Sequence, residues 1–265
     1  MTAHRTKRVY RRVCVVLACL CVVTFTSCRQ WEPGSERAKT EERAPANRAR
    51  EKALLARNKV KHPGADMPVQ TVYQLPDYPN GCEAASLTTV LQYLGYSVTL
   101  QDVVDRYLPR EDFFWYDAQL YGPNPENAYA GNPGAGHTGY YCFEAPLAQA
   151  ANTFLREQGE AYTARPIVGL TEEALLQLLD GGVPVIVWKT IDGEAPTLGE
   201  NYTWYLHDTG EWYAPYTNVH VVVVRGYTDE AFLLCDPLGE LESIPRADLL
   251  WQNHELGGRA VAILG

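Results

Sequence analysis

The chain contains no Cys-x-x-Cys pair and no cysteine–histidine cluster at zinc spacing, so a structural metal is not expected. It has no internal repeats. Its uncharged apolar run, Val13 to Phe25, falls short of the roughly 20 residues that cross a bilayer comfortably. Positive charge is scarce over most of the length. Residues 1–66 hold 15 of the 23 Lys and Arg and 6 of the 32 Asp and Glu, leaving 8 and 26 for residues 67–265. That body carries a formal charge of −18 and repels phosphate backbones, so nucleic acid is not an expected partner. Cationic peptides and neutral polymers remain compatible with it.

What is present reads as one globular domain with extra N-terminal segments: 265 residues, 46% apolar and 21% charged. Arg5, Lys7, Arg8, Arg11 and Arg12 precede the apolar run, and Thr26, Ser27 and Cys28 close it, the layout of an export signal. A small residue followed by cysteine at this point resembles the lipobox of bacterial lipoproteins, with Phe25 where Leu is usual. The resemblance implies cleavage after residue 27, lipidation of Cys28, and a membrane anchor on the extracytoplasmic face. A plain secretory signal and an uncleaved anchor are the competing readings. Residues 28–66 are charged and Ala-bearing, too polar to bury a core, and read as a tether.

In the body, Val69–Tyr73 is a strand candidate, and a turn-rich stretch, Gln74 to Gly81, leads to Cys82. Ala84, Leu87, Leu91 and Leu94 then mark one helical face, ended by Gly95. Thr99 and Asp102 form a capping pattern for a helix reaching Leu108. Residues 110–142 read as a long aromatic loop; its rings, Trp115 and Tyr116 among them, either line a substrate cleft or cover the body. Helices are expected over 144–158 and 171–180, and strands over 184–190, 219–225, 231–236 and 259–264. Helices first and an antiparallel sheet mainly from the C-terminal half make an α+β domain over residues 67–265.

Seven cysteines are present, and three, Cys82, Cys142 and Cys235, lie in the body, an odd number that leaves at least one free thiol. Cys82 stands in the first turn of its helix, where backbone N–H groups and the helix dipole lower a thiol pKa and can serve an oxyanion. Gly81 before it allows a substrate backbone to come close. A small buried cysteine that merely packs is the alternative. His220 sits inside the apolar run Val219–Val224 and needs a polar partner. A hairpin loop over Gly226–Glu230 sets Arg225 opposite Ala231 and therefore His220 opposite Asp236, which would orient the ring. With a two-residue loop, Asp236 faces Val223 and the pair is lost. Cys235, alternating with Asp236, points to the opposite face and reads as core. His137 lines the cleft or steadies the long loop; His207 and His254 read as solvated.

The order Cys, His, Asp, with the cysteine on an early helix, is that of papain-like enzymes. Gln74-x-Pro-x-x-x-x-Gly-Cys-Glu-Ala-x-Ser-Leu87, Gly131-Asn-Pro133, Gly139 to Pro146, Gly182-x-Pro-Val-Ile-Val-Trp188, His220 with Gly226-Tyr, and Asp236-Pro237 together resemble the family-thirty-nine-like cysteine peptidases. These are relatives of the leader-peptidase domains of bacteriocin exporters. The resemblance spans about residues 69–264 and implies a papain-like fold and a triad of Cys82, His220 and Asp236; hydrolysis by such a triad needs no cofactor. Gln74 is the candidate for the oxyanion-donating glutamine, or else a surface residue of the turn. The expected function is hydrolysis of peptide or amide bonds, with a peptide or wall peptide as substrate and a monomer as the working form. An acyl transferase or amidase on wall peptides, and a binding module without turnover, are the rivals.

Overall fold

The computed structural model describes residues 66–134, 138–159 and 161–265. The expectations for the leader, for Cys28 and the tether through residue 65, and for His137 fall outside the described residues.

Three antiparallel strand pairings of valine-rich sequence build the centre. Strands β5 (Thr163–Ile167), β6 (Val185–Thr190), β9 (Val219–Tyr227), β10 (Ala231–Cys235), β11 (Ser243–Pro245) and β12 (Ala260–Leu264) form one sheet in the order β11-β10-β9-β6-β12-β5. Every pairing in it is antiparallel. Val185, Ile186, Val187 and Trp188 on β6, and Val221 to Val224 on β9, are fully buried. Both faces of the middle strands are therefore covered, which explains their continuous apolar runs in place of alternation.

Helix α1 (Cys82–Tyr93) crosses this sheet, and the short α2 (Leu100–Asp102) continues into a π turn at Val103–Tyr107. The cap expected at Thr99 is present: its hydroxyl accepts from Asp102 N–H while the Asp102 carboxylate accepts from Thr99. Helices α3 (Glu144–Gln158) and α4 (Glu172–Asp180) have the predicted bounds, α3 stopped by Gly159 at φ 74° and α4 started by the Thr171 hydroxyl. The helix α5 (Arg246–Glu255) was not foreseen. Helix α1 differs from the one-faced pattern the sequence suggested, because every residue from Cys82 to Leu91 is buried. Its polar side chains are matched accordingly: Ser86 Oγ donates to Val221 O, Thr88 Oγ1 to Ala84 O, and Thr89 Oγ1 accepts from Val72 N–H.

Two expectations are corrected. The segment 69–73 pairs as no strand; its polar groups bond to α1 and the sheet margin, Val72 N–H to Thr89 Oγ1 and Val69 O to the Cys235 thiol. The stretch 110–142 is no structureless loop. Strands β1 (Arg110–Glu111) and β4 (Tyr129–Ala130) pair in parallel, and β2 (Phe114–Tyr116) and β3 (Gln119–Gly122) form a hairpin. That hairpin joins β7 (Trp204–Leu206) and β8 (Trp212–Tyr213) in a second sheet ordered β2-β3-β7-β8. A small core of Ala130, Trp204 and Leu206, edged by Phe113 and Tyr140, holds its inner side. Asp117 and Ala118, both at positive φ, make the tight turn between β2 and β3.

An ion cluster locks the start of α3 to the main sheet. Arg259 Nη1 bonds Glu144 at 2.7 Å, Nη2 bonds Glu126 at 2.6 Å, and the guanidinium lies 3.6 Å from the Phe143 ring centre. Glu144 is nearly inaccessible, so removing its partner strands a buried charge. Arg259→Met is expected to lower stability by about 3 kcal/mol in urea unfolding, with Glu144→Gln in the same background restoring part of the loss.

Candidate active site

Strand β10 ends at Cys235, and beyond it β9 has no strand partner on that side among the described residues. The start of α1 fills the gap. Ser86 Oγ reaches Val221 O at 3.2 Å, and the Cys82 sulfur lies against the backbone of the same residue, next to His220. His220 Nε2–H donates to Asp236 Oδ1 at 2.7 Å, with both side chains almost wholly buried. The other ring nitrogen, Nδ1, is left for a second partner.

The His220–Asp236 contact arises by a different route from the register expected. The strands pair Phe232 with Tyr227 and Leu233 with Gly226, then Leu234 with Val224 and Cys235 with Val223. Arg225 is thus an extra residue on β9, a β-bulge. Thr228 Oγ1 accepts from Ala231 N–H at 3.0 Å, which shortens the turn and carries β9 on to Tyr227. Continued past the bulge, the register sets Asp236 opposite Val222, on the face of His220 and diagonal to it. Without the bulge Asp236 would fall opposite Val223, on the wrong face. The carbonyl of Arg225 takes Met67 N–H at 3.0 Å, and its Nε donates to Leu234 O at 3.2 Å.

The Asp236-Pro-Leu-Gly-Glu-Leu turn wraps the carboxylate. Leu238 N–H donates to Oδ1, and Glu240 and Leu241 N–H donate to Oδ2, at 3.0, 3.2 and 3.1 Å. Burial pushes the Asp236 pKa up, but the bonds from His220, Leu238 and Leu241 outweigh it and the carboxyl ends below its ordinary value. Directly opposite His220 on β6 stands Lys189, 1% exposed, its ammonium bonded to Thr190 O. Burial lowers the Lys189 pKa, against the pull of Asp236 and Asp192.

The expectation for Cys82 is corrected in one respect. Its pKa is raised, not lowered: burial is the largest cause and the Glu83 carboxylate the next, while the Val221 backbone pulls the other way. At rest the group is a thiol. Its Sγ donates to Glu83 Oε2 at 3.3 Å, and Glu83 Oε1 accepts from Cys142 N–H at 3.0 Å. Glu83 is fully buried, and burial carries its pKa up to about 7.

The remaining candidates fall in several places. Gln74 is buried, with Nε2 donating to Pro79 O at 2.8 Å and Tyr78 O at 3.3 Å; its Oε1 has no hydrogen-bond partner among the described residues. Its N–H bonds Pro237 O at 3.0 Å, tying the loop before Cys82 to the turn after Asp236. At Gly81 the close neighbour is Tyr78, whose Cβ stands 2.7 Å from where a side chain would begin. Glycine is needed there for the tight turn. Trp115 and Tyr116 lie on β2 of the second sheet, 72% and 68% exposed. Cys142 and Cys235 are buried free thiols, as core positions require. His207 is not merely solvated, since its Nε2 contacts Glu111.

Two residues of the site escaped sequence reasoning. An acid in the first turn of a helix reads as a dipole-complementing surface group, so Glu83 gave no sign of burial beyond its place beside Cys82. Lys189 closes an otherwise apolar strand, and its meaning depends on the β6–β9 register.

A helix that begins at a cysteine and lies against an antiparallel sheet bearing histidine and aspartate defines a papain-like α+β fold. The sequence model of the Peptidase C39-like family matches residues 66–255, and the chain belongs to that family. It is 29% identical over 213 residues to the uncharacterized protein YvpB of Bacillus subtilis (strain 168), covering 78% of this chain and 80% of YvpB. A crystal structure from Bacillus anthracis, assigned as a C39-like peptidase, has a TM-score of 0.62 at 26% identity, covering 75% of this chain and 95% of that one.

The depressed Asp236 carboxyl fixes the sign of a pH effect. Its contribution to stability is present above the unfolded value of about 3.9 and is lost as pH falls through the folded value. Asp236→Asn is therefore expected to be less stable than wild type by about 2 kcal/mol near neutrality, with the gap closing below pH 4 in urea titrations.

Proposed function

We propose that the protein is an exported thiol hydrolase of peptide or amide bonds, with Cys82 as nucleophile, His220 as base and Asp236 as the group that orients His220. The observation that carries this reading is the buried His220–Asp236 pair at 2.7 Å, on the strand against which the Cys82 sulfur lies. With Nε2 committed to Asp236, Nδ1 is the nitrogen that takes the thiol proton. The sulfur then bonds the substrate carbonyl carbon, and the carbonyl electron pair moves to oxygen. The Cys82 N–H, at a helix start without intrahelical partners, is placed to donate to that oxygen. A share for Gln74 requires one of its N–H groups to leave Tyr78 O, the longer of its two contacts. Protonated His220 returns its proton to the departing amine, and water, activated by the same ring, cleaves the thioester.

A second reading, a binding module that keeps the fold without turnover, is favoured by the buried, protonated state of Cys82. The two separate on labelling. A thiol-directed acyl probe should modify the wild type and leave Cys82→Ala unmodified, and His220→Ala should react about 100-fold more slowly. Equal labelling of all three supports the binding module.

The proposal places the domain at the outer face of the membrane, held by a lipid on Cys28 and a tether through residue 66. Support comes from the basic start, the short apolar run and Ser27-Cys28. Cells fed a tagged fatty acid should yield labelled wild-type protein in the membrane fraction. Cys28→Ala should appear unlabelled and be released from that fraction; a labelled Cys28→Ala protein overturns the anchor.

A further inference from the structure

Glu83 has no part in the reaction scheme above, yet it touches the reacting sulfur. A carboxyl group wholly removed from water is costly unless it is bonded, and this one has two defined partners. Oε1 takes Cys142 N–H at 3.0 Å, which fixes the side chain from the segment leading into α3. Oε2 then has little freedom, and it takes the Cys82 thiol proton at 3.3 Å. The sulfur therefore rests on a carboxylate on the side away from solvent. Other titratable groups near Glu83 come from each neighbouring element: Tyr129 from β4, Cys142 ahead of α3, and Cys82 on its own helix. Burial keeps Tyr129 and Cys142 protonated across the useful pH range. Within this group Glu83 is the carboxyl that titrates near neutrality, and its negative charge opposes a thiolate.

We propose that Glu83 is a brake on the nucleophile: as a carboxylate it holds Cys82 as a thiol, and protonated it lets the thiolate form. Glu83 takes one proton from solvent and turns from acceptor to donor, and the thiol proton passes to His220 Nδ1, leaving S⁻ bonded by the neutral carboxyl; one added proton thus moves the site from a resting to a reactive arrangement. Because Glu83 and Cys82 interact directly, the two titrate as a coupled pair. The consequence is an enzyme poised for mildly acid surroundings. The proposal rests on Cys82 being the nucleophile, but the test reads the thiol itself and needs no substrate.

Glu83→Gln keeps an oxygen for Cys142 N–H and removes the charge. Wild type and Glu83→Gln would be alkylated with iodoacetamide from pH 5 to 9, with the labelled residue located by peptide mass spectrometry. The ratio of variant to wild type should stay within about twofold at pH 5.5 and rise through neutrality to about tenfold by pH 8, the effect of roughly one pKa step. A ratio independent of pH, or a slower variant at pH 8, overturns the brake while leaving Cys82 as the reactive thiol. Label found elsewhere than Cys82 overturns both the brake and the hydrolase reading. A second measurement avoids any change at Glu83: its carboxyl carbon, followed by NMR, should titrate near neutrality and move to higher pH in Cys82→Ala, where a stabilising donor is lost. An unmoved titration overturns the proposal.

Discussion

The whole site depends on a single docking contact, the seat of α1 on the part of β9 that β10 leaves uncovered. A strand with free backbone groups must have them met by something. Here Ser86 and the first turn of the helix meet them at Val221. That choice fixes the height of Cys82 along β9 and so brings the sulfur to the residue beside the histidine. It also explains why α1 is buried on every side: the sheet takes one flank, and the stretches ending at Val72 and at Cys142 take the others. The polar groups such a helix carries inward each have a stated partner, a costly arrangement that is justified where it positions chemistry.

The local features were readable from composition and spacing. Gly159 and Thr171 mark helix ends by mechanisms that act within a few residues, and the structure has those ends in place. The apolar strands were equally plain. Long-range pairing was not. Strand β3 bonds β7, which follows it by about eighty positions, so the short aromatic strands before Gly122 had no visible partner and read as loop. The His220–Asp236 pair was legible as chemistry, a ring in an apolar run that needed an acid. The register that makes it was not, because a bulge leaves no signature where Arg225 looks like any strand-end residue. Burial of Glu83 and Lys189 is likewise a property of what packs around them, which no window of sequence contains.

Around the sulfur, burial and charge act against the helix start. The backbone groups of Val221 and Glu83 beside the sulfur favour a thiolate, yet desolvation and the Glu83 carboxylate prevail. The family membership and the fold supply the setting, and the immediate surroundings of the sulfur favour the neutral thiol. Asp236 stands in contrast: three backbone donors and His220 overcome its burial, so the acid of the pair stays charged while the thiol stays neutral.

The extra residue at Arg225 makes this hairpin sensitive to length in a way it is not to composition. Sheet faces admit only two states, so adding or deleting one position between Val222 and Asp236 does not weaken the histidine–aspartate contact by degrees; it sends one partner through to the far side. Exchanges of one side chain for another at Asp229 and Glu230, whose side chains take no part in the turn's bonds to Thr228 Oγ1, leave that count intact. Relatives of this chain should accordingly vary freely at the positions of Asp229 and Glu230 while holding the span of the turn fixed, and any natural variant with a one-residue indel there should have surrendered the pair outright.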